Sequence, residues 1–174
     1  MDAESTLEAI AQIAVSLTGF AGIAGALAGE KLRPANSLIW LSFWVMISSS
    51  AGVLFCALFP FLPHHLGASD PVTWAASSSV VATLTVCNLA FFLPRIFRAK
   101  RDGSLVAVRA FNIPLDVCPA VVIGSQVLNA LGVGLGQNAG GFLIGLYFLV
   151  LIAVLNFVQL LYVLDFRSGS RSDS

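Results

Sequence analysis

Five side-chain amides lie inside long apolar stretches of the chain, where hydrogen bonding is the main chemistry open to them. They are Asn88, Gln126, Asn129, Asn156 and Gln159. Gln126 and Asn129 have the i, i+3 spacing that places two side chains on one face of a helix, and the last two amides share it. Neutral amides both donate and accept hydrogen bonds. The pattern therefore indicates either hydrogen bonds between helices or a neutral polar interior such as a narrow pore.

The same stretches carry no Asp, Glu, Lys, Arg or His at their centres. Ionisable residues within a membrane are the usual mark of proton relays and ion-coupled carriers. Their absence argues against a proton-driven antiporter but leaves open a passive pore or a carrier of neutral solutes. Acid–base catalysis needs a titratable group within reach of its substrate. We therefore expect no enzymatic activity, no catalytic residue and no cofactor.

Histidines and cysteines offer little further chemistry. His64 and His65 are adjacent in a segment bounded by Pro63 and Gly67, and adjacent side chains rarely form a complete metal site. We expect a solvated loop there and no bound metal. The three cysteines, at 56, 87 and 118, form no C-x-x-C pair, so we expect buried free thiols.

The apolar stretches themselves predict a membrane protein. The 174 residues are 57% hydrophobic and 10% charged, whereas soluble domains average about 25% charged residues. Apolar runs cover residues 6–29, 37–60, 72–94, 117–136 and 141–164. A run of about 20 residues spans the roughly 30 Å hydrocarbon core of a bilayer as a helix. We predict an all-α, single-domain bundle of five transmembrane helices over residues 1–174.

The positions of the basic residues predict how this bundle is threaded. All nine Lys and Arg fall in three groups: 31 and 33; Arg95, Arg98, Lys100, Arg101 and Arg109; and 167 and 171. Five crossings place every group on one side, which the positive-inside rule assigns to the cytoplasm. The prediction is an inner (plasma) membrane protein with its amino terminus outside and its tail, 165–174, inside. The basic cytoplasmic loop 95–116 is expected to contact anionic lipid headgroups.

Small residues predict how the helices pack, because close backbone approach contributes more than leucine burial between helices in lipid. In the first run, Ala21, Gly25 and Gly29 recur every four residues, and Gly22 belongs to a second such row. We predict that this run lies at the centre of the bundle or forms a subunit contact. The last run is rich in Leu, Val and Phe and is expected to face lipid.

Three segments carry a resemblance to known proteins: residues 17–22 (LTGFAG), 126–132 (QVLNALG) and 156–161 (NFVQLL). They resemble segments of small, uncharacterised bacterial multi-pass membrane proteins with five helices. The resemblance implies a bacterial inner membrane and no particular activity. It directs attention to the face that carries Gln126 and Asn129.

Two functions remain open from the sequence. One is a non-catalytic, oligomeric channel or passive carrier, in which Asn88, Gln126, Asn129 and Asn156 would line a wet path. The other is a structural or accessory subunit of a larger membrane complex, which would co-purify with its partner. The expected partners are the bilayer and either further copies of the chain or a larger complex. Nothing in the charge pattern requires nucleic acid.

Overall fold

The structure, a computed structural model, describes residues 3–28, 37–101, 109–134 and 136–169, and within these ranges it is helical with no strand. The helices are α1 (Ala3–Ala28), α2 (Ser37–Leu58), α3 (Phe61–His65), α4 (Asp70–Arg101), α5 (Arg109–Ala130) and α6 (Ala139–Gly169). Four helices are long and apolar enough to cross a membrane, and α5 has a shorter apolar stretch, Val117–Ala130. The prediction of an all-α fold is confirmed.

Several helix bounds differ from those predicted. The segment 95–116 is not one loop, because α4 continues to Arg101 and α5 begins at Arg109. Pro94 lies inside α4. It lacks the N–H that would bond one carbonyl of the preceding turn, yet neighbouring helical bonds keep the backbone helical, as often happens in transmembrane helices. The segment 61–71, expected to be a loop, contains the five-residue helix α3.

The bundle is built around α6, which packs against α1, α2, α4 and α5. The prediction that the last apolar run faces lipid is therefore wrong, and so is the central position assigned to the first run. α1 packs mainly on α2 and α6. The physical reason is that the start of α6 offers both the close-approach glycines Gly141 and Gly145 and large buried side chains, Phe142 and Leu146, directly beside them.

The main core joins all five long helices around Ile10, Val53, Val81, Val122 and Phe142. Trp74 of α4 packs on it, with its ring centroid 5.7 Å from that of Phe142. A second cluster, Ala21, Ala24, Met46 and Leu160, links α1 and α2 to α6. A third joins Leu41 of α2 to Phe92 of α4.

Alanines, rather than the predicted glycines, mediate the packing of α1. Ala14 and Ala21 are fully buried. Gly22 is exposed, and a Cβ built on it would have nothing within 4 Å. Gly25 is half-buried, and Gly29 lies outside the described residues. Gly22 therefore makes no close contact in the bundle, and its proposed role in a subunit contact stays a prediction.

Candidate functional site: an amide cluster between α4, α5 and α6

The second half of α5 presents two amides to α6, at the end of the bundle where the α5–α6 connection lies. Gln126 is 0% exposed and Asn129 is 3% exposed. Both contact residues near the start of α6, so the prediction that they share one helix face is confirmed. The other polar side chain of this region, Ser125, donates within its own helix to the carbonyl oxygen of Val122, so the two amides are the principal polar contribution of α5 to the interior.

Gln126 binds backbone rather than another side chain. Its Nε2 donates to the carbonyl oxygens of Gly141 (3.0 Å) and Phe142 (3.3 Å). The side chain fits because Gly145 has no Cβ: one built there would lie 2.6 Å from Cδ of Gln126. The acceptor Oε1 of the same amide is buried without a hydrogen-bond partner. One half of the amide thus holds α5 on α6, and the other half is unsatisfied.

Asn129 joins three parts of the chain. Its Nδ2 donates to Oγ of Ser78 on α4 (2.7 Å) and to the carbonyl oxygen of Asn138 (3.2 Å). Its Oδ1 accepts from the backbone N–H of Asn138 at 3.3 Å. Gly141 again makes room, because a Cβ on it would lie 2.6 Å from Cγ of Asn129. The side chain therefore fastens α5 to α4 and to the residue that precedes α6.

Residues 137 and 138 complete the cluster from the connection. Oδ1 of Asn138 accepts from the N–H of Gly141 (2.9 Å), which is the arrangement of an N-cap for α6. Nε2 of Gln137 donates to the carbonyl oxygen of Ala130 (2.9 Å), the last residue of α5. Both helix ends that face this connection thus obtain side-chain partners for backbone groups that would otherwise be unpaired.

The connection itself depends on glycine. Gly132, Gly134 and Gly136 have φ angles of 71°, 85° and 78°, values that other residues adopt only with strain. These glycines form a turn that leads from α5 into the Asn138 cap. The backbone can therefore reverse direction within a few residues and bring Asn129 beside Asn138.

The other predicted amides lie elsewhere. Nδ2 of Asn88 donates to Oγ of Ser48 and so links α4 to α2. Nδ2 of Asn156 donates back to the carbonyl oxygen of Ile152 in its own helix (2.8 Å). Gln159 is buried. Asn88 is ten residues, or about 15 Å, along α4 from Ser78. The structure therefore brings Gln126 and Asn129 together but separates them from the remaining three.

Sequence reasoning missed the partners of the cluster: Ser78, Gln137, Asn138, Gly141 and Gly145. Two signals were available. Asn138 stands just before the last apolar run, where the N-cap residue of a helix is expected. Gly141 and Gly145 are four residues apart at the start of an apolar run, the small-residue spacing of close helix packing.

The cluster holds hydrogen-bonding groups and no titratable side chain among its described members. Across the described ranges, no group of three or more His, Cys, Asp and Glu could hold a metal ion. His65 directs Nδ1 to the carbonyl oxygen of Phe61 at 2.7 Å. Cys56 and Cys118 are buried free thiols, whereas Cys87 is a free thiol that is exposed on α4.

The predicted headgroup-binding residues are distributed over two helices. Arg95, Arg98 and Arg101 belong to the last two turns of α4. Lys100 lies between Arg98 and Arg101 on α4, and Arg109 is the first residue of α5. The side chains of Lys100 and Arg109 are outside the described part of the structure. Comparisons of the chain with protein-family models, with curated proteins and with solved structures found no match.

Proposed function

We propose that this chain is a non-catalytic, multi-pass membrane protein that serves as a structural or accessory subunit of a larger membrane complex. The observation that carries the proposal is the bonding of its interior amides. Nε2 of Gln126 and both polar atoms of Asn129 have protein partners on three elements. Amides engaged in this way hold helices together and leave few polar groups free to line a path for a solute.

The proposal places the protein in a plasma membrane, the inner membrane of a bacterium, with its amino terminus outside. The contact between Asn129 and Ser78 supports five crossings. It sets the end of α5 beside the first turns of α4, whereas Arg101 lies at the far end of that helix. On this arrangement the apolar stretch Val117–Ala130 of α5 returns through the bilayer, and the preceding part of α5, which carries Arg109, Asn112 and Asp116, lies in the headgroup region.

The exposed face of α1 is the surface proposed to contact the larger partner. Gln12, Ser16, Gly19 and Gly22 are exposed on it, and neither glycine would bring a Cβ within 4 Å of another residue. Gln12 lies one turn, about 6 Å, beyond Glu8 and so within the apolar part of the span. An amide facing hydrocarbon is unfavourable. A transmembrane helix of the partner would hydrogen-bond it and pack closely on the glycines.

Co-purification tests this proposal. The tagged chain would be extracted from its own membrane at native expression level, and cross-linked partners would be identified by mass spectrometry. We expect a larger membrane protein to be retained, and Gly22→Leu to lose it. Gly124→Leu is the matched control, since Gly124 is also a helical glycine with open space. A single-chain species, or equal loss in both variants, would refute the proposal.

A second candidate, an oligomeric channel or passive carrier, is favoured by one observation. Oε1 of Gln126 is buried and unpaired, which is the kind of group that a passing water or neutral solute would satisfy. The channel hypothesis can be tested by stopped-flow swelling, which measures the permeability to water and glycerol of liposomes that contain the purified chain. Flux that Gln126→Leu abolishes would favour the channel, whereas permeability equal to that of empty liposomes would exclude it.

A further inference from the structure

The basic end of α4 lies at the depth of a lipid headgroup layer. Asp70 and Arg95 are 25 residues apart on one continuous helix, a distance of about 38 Å. A bilayer is about 30 Å thick across its hydrocarbon and about 40–45 Å with its headgroups. With Asp70 among the headgroups of one leaflet, Arg95 reaches those of the other. Arg101, about 46 Å from Asp70, extends toward the water.

Arg95 is held in a fixed position at this depth. Its guanidinium carbon lies 3.9 Å above the centre of the Phe91 ring, and Nη1 donates to the carbonyl oxygen of Phe91. The Phe91 ring meets that of Phe92 edge-on, with centroids 5.0 Å apart. Phe92 is only 5% exposed and packs on Leu41 of α2. A continuous series of contacts therefore connects the guanidinium to the core of the bundle.

The guanidinium keeps donors for a ligand. It has five N–H groups in a planar fork, and the bond to Phe91 uses one. Arg98 is three residues further on, exposed, and on the same side of the helix as Arg95. A phosphate diester presents two oxygens that match such a fork. Phe91, 54% exposed, and the exposed Phe97 offer apolar surface to the acyl chains beside it.

We propose that Arg95 and Arg98, supported by Phe91, bind the headgroup phosphate of an anionic glycerophospholipid. The proposal rests on the membrane location assigned above but not on the accessory role. Charge complementarity identifies the ligand, because a lipid phosphate can pair with the half-buried Arg95 and the exposed Arg98, whereas Asp70, the acidic residue of α4, lies about 38 Å away along the helix. Phe91 acts as a positioning residue, because it sets the orientation of Arg95.

The test measures lipid selectivity in reconstituted membranes with spin-labelled lipids. The motionally restricted fraction gives the association constant of phosphatidylglycerol relative to phosphatidylcholine. We expect the native chain to prefer phosphatidylglycerol and Arg95→Gln to lower that preference about fivefold, the effect of one basic residue near the surface. Arg95→Lys should restore only part of it, because an ammonium keeps the charge but cannot bind two oxygens in a plane. Phe91→Leu should also lower the preference.

Arg101→Gln is the control, because it removes the same charge from the same helix beyond the headgroup layer. It should lower the preference clearly less than Arg95→Gln does, because attraction to the lipid surface falls off within a Debye length of about 8–10 Å. Equal losses in Arg95→Gln and Arg101→Gln, or no preference in the native chain, would overturn the proposal in favour of diffuse attraction. Inorganic phosphate in millimolar excess should not compete, whereas competition would indicate a free-phosphate site. If the lipid-binding proposal failed, the exposed face of α1 could still retain its partner. The lipid-binding proposal and the accessory-subunit proposal are therefore tested independently.

Discussion

Gly145 lies directly beneath the side-chain amide of Gln126, so close that a Cβ on the glycine would stand 2.6 Å from Cδ of the glutamine. This contact allows Nε2 to reach the carbonyl oxygens of the preceding turn of α6. Close approach of α5 and α6 therefore depends on a missing side chain as much as on a hydrogen bond.

Gly145→Ala should destabilise the bundle. The added methyl group would displace the amide of Gln126, and overpacking of this kind costs about 1–3 kcal/mol. Unfolding by sodium dodecyl sulfate in mixed micelles would measure the change. Gly124→Ala is the control, since its Cβ would meet nothing within 4 Å and alanine favours the helix. A Gly145→Ala variant as stable as this control would disprove the tight contact.

The helical fold could be predicted from the sequence because membrane spans are encoded locally, by length and hydrophobicity. The central position of α6 could not be. It depends on which helix faces meet. Gly141 and Gly145 are two of the fifteen glycines in the chain, so their four-residue spacing is only a weak signal of close helix packing. The extension of α4 past Pro94 was missed for a similar reason, since a proline in a transmembrane helix neither ends nor continues it by itself.

The site was predicted in part. The spacing of Gln126 and Asn129 placed both on one helix face, as the structure has them. Their partners are mainly backbone carbonyls and a serine on another helix, and no sequence pattern specifies which carbonyl an amide will reach. The separate positions of Asn88 and Asn156 likewise depend on the tertiary arrangement and not on their own spacing.

The bond between Asn129 and Ser78 should show measurable coupling. We expect Asn129→Ala to destabilise the bundle more than Ser78→Ala, because Asn129 also binds both backbone groups of Asn138. The double variant should be less destabilised than the sum of the single ones, by about 0.6 kcal/mol, the average for interhelical bonds in a membrane. Unfolding free energies of the four proteins would give the coupling. Strict additivity would show that the two side chains do not interact.

The positive φ of Gly134 makes a substitution there informative. A Cβ at this position would meet nothing within 4 Å, so any cost of Gly134→Ala arises from the backbone. We expect a loss of about 1–2 kcal/mol, the penalty for an L-residue in the left-handed region. Gly134→Asn should lose less, because asparagine tolerates this conformation better. Thermal unfolding would rank the three proteins, and equal stability would show that the turn adopts another conformation.

The threading of the chain can be tested with single cysteines in a background without Cys56, Cys87 and Cys118. His65, Arg101 and Val133 are exposed positions at the ends of helices or in a connection. We expect a membrane-impermeant maleimide to label His65→Cys and Val133→Cys from outside right-side-out vesicles. Arg101→Cys should react only after the membrane is permeabilised, because α4 crosses between residues 65 and 101.

Val133→Cys decides the role of α5, whose apolar stretch is the shortest of the five. The bond from Asn129 to Ser78 sets the end of α5 near the start of α4, so residue 133 should share the compartment of residue 65. Labelling of Val133→Cys together with Arg101→Cys would mean that α5 does not cross. If His65→Cys and Arg101→Cys were labelled from the same side, α4 would not cross the membrane. The basic end of α4 would then face the same compartment as the α2–α4 connection, and the positive-inside arrangement would be excluded.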